Sequence, residues 1–262
     1  MRRVALAALV VVAGLAVAGS AQAITFGQPD GNRHPQVGGL VAEWREPGTP
    51  DLFCSGTLIS PTVFLTASHC TQGLAELAIA PDEVSVTFDP TFDADSVLLG
   101  GTYHTHPELG FSGPGGKSDP HDIAVIVLDA PVTGVTPARL PALNLLDTLA
   151  LKAQRFTTVG YGTVREDKRR GPHSILDNAE RRFATQGFRS LTKSWLNLSM
   201  NPSTGSGGTC FGDSGGPHFL GDSDLIVSIT ITGDATCRAT DVTYRVDTAS
   251  ARAFLDDFVT VP

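Results

Sequence analysis

Short apolar or β-branched runs, separated by turn residues, set the strongest limit on what this chain can fold into. They stand at Val37–Ala42, Gly56–Ile59, Val63–Thr66, Val84–Phe88, Ile123–Leu128, Phe156–Val159 and Leu225–Ile231, with Gly, Pro, Asp or Ser clusters between them. Runs this short suit strands better than helices, which need about ten residues or more. The 28 Gly and 17 Pro among 262 residues supply the turns such strands require. The expected class is therefore all-β, as a barrel or a sandwich. One helix is expected at the end, over Ala249–Phe258. Thr248 would cap it, and Ala253, Phe254 and Phe258 would share an apolar face.

At 41% hydrophobic residues the chain can bury a full core, in one large domain or two small ones. Pro131–Pro141 holds three prolines and few charges, and would divide residues 24–140 from 141–262. The net charge of −8 favours solubility and argues against a nucleic-acid surface. The N-terminus reads as a signal peptide over residues 1–23. Arg2 and Arg3 are followed by an apolar run, Val4–Ala18, and then by Ala21-Gln22-Ala23. The run is too short to span a bilayer comfortably. A secreted protein with no membrane attachment in its mature form is expected, and a monomer. Outside a reducing cytosol, Cys54, Cys70, Cys210 and Cys237 suggest two disulfides. Three pairings are open, and sequence proximity favours Cys54–Cys70 with Cys210–Cys237.

Three segments carry chemistry: Leu65-Thr66-Ala67-Ser68-His69-Cys70, His121-Asp122-Ile123-Ala124, and Gly212-Asp213-Ser214-Gly215-Gly216-Pro217. A serine hydroxyl is a weak nucleophile until a base takes its proton. Glycines beside Ser214 let the backbone turn sharply and leave N–H groups for an oxyanion. The same pattern fits the G-x-S-x-G of α/β-hydrolases, which need Ser, then an acid, then His. Only His218 follows Ser214, and no parallel α/β pattern surrounds it. The order here is His, Asp, Ser.

In those motifs and that order the chain resembles the chymotrypsin–trypsin family of serine peptidases, across essentially the whole segment from Ile24 onward. The resemblance implies two antiparallel six-stranded β-barrels packed together, with a C-terminal α-helix. It implies a catalytic triad of His69, Asp122 and Ser214, with the backbone amides of Gly212 and Ser214 as the oxyanion hole. It implies that Cys54–Cys70 braces the loop of His69 and that Cys210–Cys237 ties the nucleophile loop to a pocket wall. It also implies that a free α-amino group at Ile24 pairs with Asp213 on activation. Gly208, Gly233 and Val242 fall at the family's specificity positions. An Asp in place of Gly208 would select basic residues, so the expected preference is for small or medium apolar side chains. The expected substrates are proteins or peptides, and the alternative is an inactive homologue that binds without cutting. No cofactor or metal is expected. His104, His106 and His121 could supply zinc ligands but read as loop or surface residues. Two departures stand out: Ser68 replaces the usual Ala before the catalytic His, and only two disulfides are available. The second, with the plain leader, points to a bacterial source. Gly110–Pro120 reads as a rim over the cleft, and Arg165–Arg170 as a solvated loop.

Overall fold

The computed structural model describes residues 24–110, 118–165 and 175–262. Residues 1–23, read above as a signal peptide, most of Gly110–Pro120 and residues 166–170 lie outside that range. In chain order the elements are β1 (Gln28–Pro29), β2 (Val37–Glu46), β3 (Thr49–Ser60), β4 (Val63–Thr66), α1 (Ser68–Glu76), β5 (Val84–Thr87), β6 (Leu99–Thr105) and β7 (Ala124–Leu128). They continue with α2 (Leu145–Thr148), β8 (Arg155–Gly160), β9 (Val164–Arg165), β10 (Ile175–Leu176), β11 (Arg182–Leu191), β12 (Trp195–Ser199), β13 (Pro217–Leu220), β14 (Ile226–Gly233), β15 (Thr240–Arg245) and α3 (Ala249–Leu255).

Strands β2-β3-β4-β7-β6-β5 close into one antiparallel barrel. A second forms in the order β11-β12-β15-β14-β13-β8 and closes where β8 pairs with β11. The family's fold, two closed six-stranded antiparallel barrels with a C-terminal helix, is thus present. Closure leaves neither barrel with a free edge. The segment Pro131–Pro141 runs between them. Its Val132 and Ala138 amides donate to the carbonyls of Pro61 and Leu58 in the first barrel, and Arg139 bridges to Leu225 in the second.

The expected runs become strands, with small changes at their ends. The sequence pattern missed others. In β11, Arg182 is buried, and so is Arg181 just before it. Arg181 donates to Asp30 at 3.0 Å and to the carbonyls of Val37, Phe88 and Gly31. A fully hydrogen-bonded guanidinium can be buried, yet it reads as solvent-facing in an alternation of apolar and polar residues. The terminal helix ends at Leu255 rather than Phe258, and the Thr248 hydroxyl accepts the Ala251 N–H at 3.2 Å. Both disulfides form, Cys54–Cys70 and Cys210–Cys237.

Candidate active site

His69 is the second residue of α1, which begins where β4 leaves the first barrel. Asp122 lies two residues before β7, the strand paired with β4. Strand pairing therefore delivers the two residues to the same end of the barrel. Asp122 is fully buried. One carboxylate oxygen accepts the backbone N–H of His69 at 2.8 Å, and the other accepts Nδ1–H of its ring at 2.9 Å. Two bonds to one residue fix both the position of His69 and its tautomer, with the ring hydrogen on Nδ1. Ser68 reinforces the pair. Its hydroxyl donates to the Ile123 carbonyl at 2.6 Å and accepts the His106 N–H at 2.9 Å.

Ser214 sits half-buried in the loop between Cys210 and β13. Its carbonyl accepts the Ser55 N–H at 2.9 Å, which ties the nucleophile loop to β3 of the first barrel. Ser55 is a participant that the sequence did not single out. Its hydroxyl donates to the Gly212 carbonyl at 3.0 Å and accepts the Tyr161 N–H at 3.1 Å. Its one local signal is that it follows Cys54. The glycines are required by geometry. Gly215 has φ of +78°, and a Cβ there would lie 2.2 Å from Thr66 Oγ1. Gly212 has φ of +93°. Among the described residues, the amides of Gly212 and Ser214 donate no hydrogen bond within the protein.

Asp213 is fully buried beneath this loop. It accepts the N–H groups of Gly162 and Cys210, each at 2.8 Å. Burial pushes its carboxyl up to about 7, against those two bonds, and Asp241 adds to the rise. The backbone crowds this carboxylate, since a Cβ on Gly160 would lie 2.2 Å from Asp213 Oδ1. Ile24 is likewise fully buried. The chain after it lies along the second barrel, where the Gly208 N–H donates to the Thr25 carbonyl at 2.9 Å.

A cavity of about 220 Å³ opens beside Ser214. Thr209, Ile231, Thr232 and Gly233 line it, along with the Cys210–Cys237 bridge. Of the three sequence-chosen pocket residues, Gly233 is on this wall, while Gly208 and Val242 are not among the lining residues. A Cβ on Gly208 would lie 2.2 Å from the buried Met200 Cγ and 2.6 Å from Gln186 Nε2. On β15, Asp241 is fully buried and Val242 is only partly buried. Asp241 Oδ2 accepts Gln186 Nε2–H at 2.8 Å and lies 2.9 Å from His218 Nε2. On the far side of Phe211 and Gly212, a second cavity of about 400 Å³ is walled by Trp44, Phe53 and Phe92.

The trypsin family model matches residues 28–253. The chain belongs to the trypsin family of serine proteases. This trypsin-family chain is 31% identical to brachyurin of Leptuca pugilator over 205 residues, covering 74% of the chain and 85% of that protein. It is 27% identical to a trypsin of Saccharopolyspora erythraea over 202 residues, covering 72% and 80%. A solved structure of HL collagenase superposes with a TM-score of 0.66 at 18% identity. It covers 89% of this chain and 98% of its own, and shows the shared fold. Membership supports hydrolase activity on proteins or peptides. No helix among the described residues is long and apolar enough to cross a membrane.

Proposed function

We propose that this chain is a secreted endopeptidase that cuts peptide bonds through an acyl-enzyme on Ser214. The observation that carries the reading is the double hydrogen bond from His69 to the buried Asp122, beside a glycine-built loop that presents Ser214 to a cavity. In this reading Ser214 Oγ attacks the scissile carbonyl while His69 Nε2 takes its proton. Asp122 stabilises the resulting imidazolium without accepting the proton. The oxyanion is met by the amides of Gly212 and Ser214, whose hydrogens have no partner among the described residues. One such donor typically lowers the barrier by about 2.7–4 kcal/mol. His69 then gives the proton to the leaving amine, and the acyl group stays on Ser214. Water enters by the reverse sequence: His69 takes a proton from it, and the acid leaves as Ser214 regains its own. The aromatic-walled cavity beyond Gly212 would receive the leaving side of the substrate.

The acyl-side residue would enter the smaller cavity. Its modest volume, with the buried Met200 packed 4.0 Å from Oγ1 of the lining Thr209, supports a preference for small or medium apolar side chains. Replacing Met200 by Ala should widen the pocket and raise kcat/KM for Leu or Phe relative to Ala substrates by roughly 10-fold or more. The same change should cost about 2–5 kcal/mol of stability, because Met200 is buried. Paired peptide kinetics and thermal unfolding read both effects. Digestion of a peptide library, with Ser214→Ala as control, tests the proposal as a whole. Cleavage that persists in the control would remove Ser214 from the chemistry.

We further propose that signal removal after Ala23 creates the activating terminus. A buried carboxylate with no cation beside it is costly, and an ammonium on the buried Ile24 would offset that cost. N-terminal sequencing of active secreted protein reads this directly. A start other than Ile24 would overturn it.

A further inference from the structure

The proposed catalysis leaves one cluster of ligating side chains unused. One ligand atom each from His106, Glu108 and His121 lie within 4.8 Å of one another. We infer that these three side chains form a binding site for a divalent cation of the zinc class, built against the back of the His69–Asp122 pair. Two imidazoles and one carboxylate are a donor set that suits zinc, with a water completing four-coordination. The third sequence histidine, His104, is not part of it. Its ring packs against Phe258 at 5.1 Å.

The three donors are held to different degrees. His106 follows β6 and is buried, with its ring 4.9 Å from Phe254 of α3 and 4.7 Å from His121. Its ring lies between the α3 aromatic and His121, so its position is set by packing on both sides. His121 has φ of +53°, which fixes its backbone before Asp122. Its Nδ1 lies 3.0 Å from Ser250 Oγ on α3 and 3.8 Å from Asp119, and its Nε2 lies 3.9 Å from Glu108 Oε2. Outer partners on one ring nitrogen and an acidic neighbour on the other describe a histidine oriented for metal. The Glu108 side chain is 73% exposed and can swing. Tetrahedral zinc needs donor atoms about 3.3 Å apart. A change of Glu108 rotamer and a small approach of the rings achieve that.

Two consequences follow from the hydrogen bonds. His106 Nδ1 accepts the Glu108 N–H at 3.1 Å. Ligation through Nε2 moves the ring hydrogen to Nδ1 and breaks that bond, so the backbone after β6 must shift. The His106 N–H also donates to Ser68 Oγ, which bonds Ile123. Ser68 precedes His69, while His121 and Ile123 flank Asp122. A cation here therefore pulls on the segments that hold the pair, and hydrolysis should slow. That effect rests on the proposed function, whereas binding does not.

The test uses the Ser214→Ala protein, begun at Ile24. Co²⁺ is titrated by its visible absorption, and Zn²⁺ by displacement of Co²⁺. The expected result is one tetrahedral cobalt per chain, displaced by zinc. Glu108→Gln and His106→Asn should each weaken binding by about 100-fold or more, beyond the roughly 10- to 100-fold cost of losing an outer partner. Glu108 is exposed, so its variant decides the matter even where His106→Asn fails to fold. No binding below about 1 mM zinc, or binding that Glu108→Gln leaves unchanged, would overturn the site. In protein retaining Ser214, zinc should slow peptide cleavage, with EDTA reversing it. Binding without slowing would overturn the link to His69 and Asp122. Absence of all cleavage would sink the proposed function while the cobalt titration still reads the site.

Discussion

Replacing Ser214 by Ala is expected to lower kcat by roughly 10⁶-fold, while KM for a good peptide changes little. In the proposed mechanism the side chain takes part only once the hydroxyl attacks, so its loss removes transition-state stabilisation rather than ground-state binding. Asp122→Asn should cost less, on the order of 10⁴-fold. The amide would present an NH₂ or a carbonyl where two acceptors are now used, by the His69 N–H and by Nδ1–H. The His69 ring would then favour the tautomer that cannot serve Ser214. Pairing the two changes should cost about as much as Ser214→Ala alone, because in the proposed mechanism the three residues act as one unit. Steady-state kinetics on one peptide separates these outcomes. Equal, additive losses would mean that Asp122 and Ser214 serve different steps.

What the sequence made legible differs between the barrel and the site. Strands such as Val63–Thr66 announce themselves because both faces are apolar and turns bound them. Strand β6 does not, since Leu99-Gly100-Gly101 lacks side chains to make a pattern. Its glycines are there because a Cβ on Gly101 would lie 2.8 Å from the Val127 carbonyl. Motifs placed His69, Asp122 and Ser214 in order, but nothing local shows Ser55, which acts across the two barrels from 157 residues before Gly212. The specificity wall was the least legible part. Counting along β15 cannot tell which residue faces inward when a register shift between Thr230 and Thr232 displaces its partner strand. The sequence groups His106 and His121 with His104 as possible ligands, but cannot show that pairing of β6 with β7 brings the first two together while the His104 ring packs on Phe258.

Asp213 should make the stability of the chain depend on pH in opposite ways before and after Ile24 becomes the terminus. In the longer chain the α-amino group is tied up in a peptide bond, and burial raises the Asp213 carboxyl from 3.8 to about 7. Between those values the folded chain holds a proton that the unfolded chain releases. Stability is therefore fully present below the lower value and falls as pH rises, by roughly 4 kcal/mol once above the higher one. Chemical denaturation at pH 5 and pH 8 should show about two thirds of this fall, since the rest is lost between 3.8 and 5. Asp213→Asn should abolish it, since the amide does not titrate. In the chain that begins at Ile24, an ammonium paired with Asp213 reverses the dependence. The carboxyl drops below its ordinary value, and the amine rises above its usual value of about 8. Stability and hydrolysis then persist through neutral pH; they fall at higher pH as the amine loses its proton, and stability falls at low pH as the carboxyl gains one. Asp213→Asn in this form would strand the ammonium in a buried site, and the loop that carries Gly212 and Ser214 should lose its order. Hydrolysis should fall by roughly 10³-fold or more, in keeping with the loss of an oxyanion donor. Matching pH profiles for the two chain lengths would show that Ile24 and Asp213 do not pair.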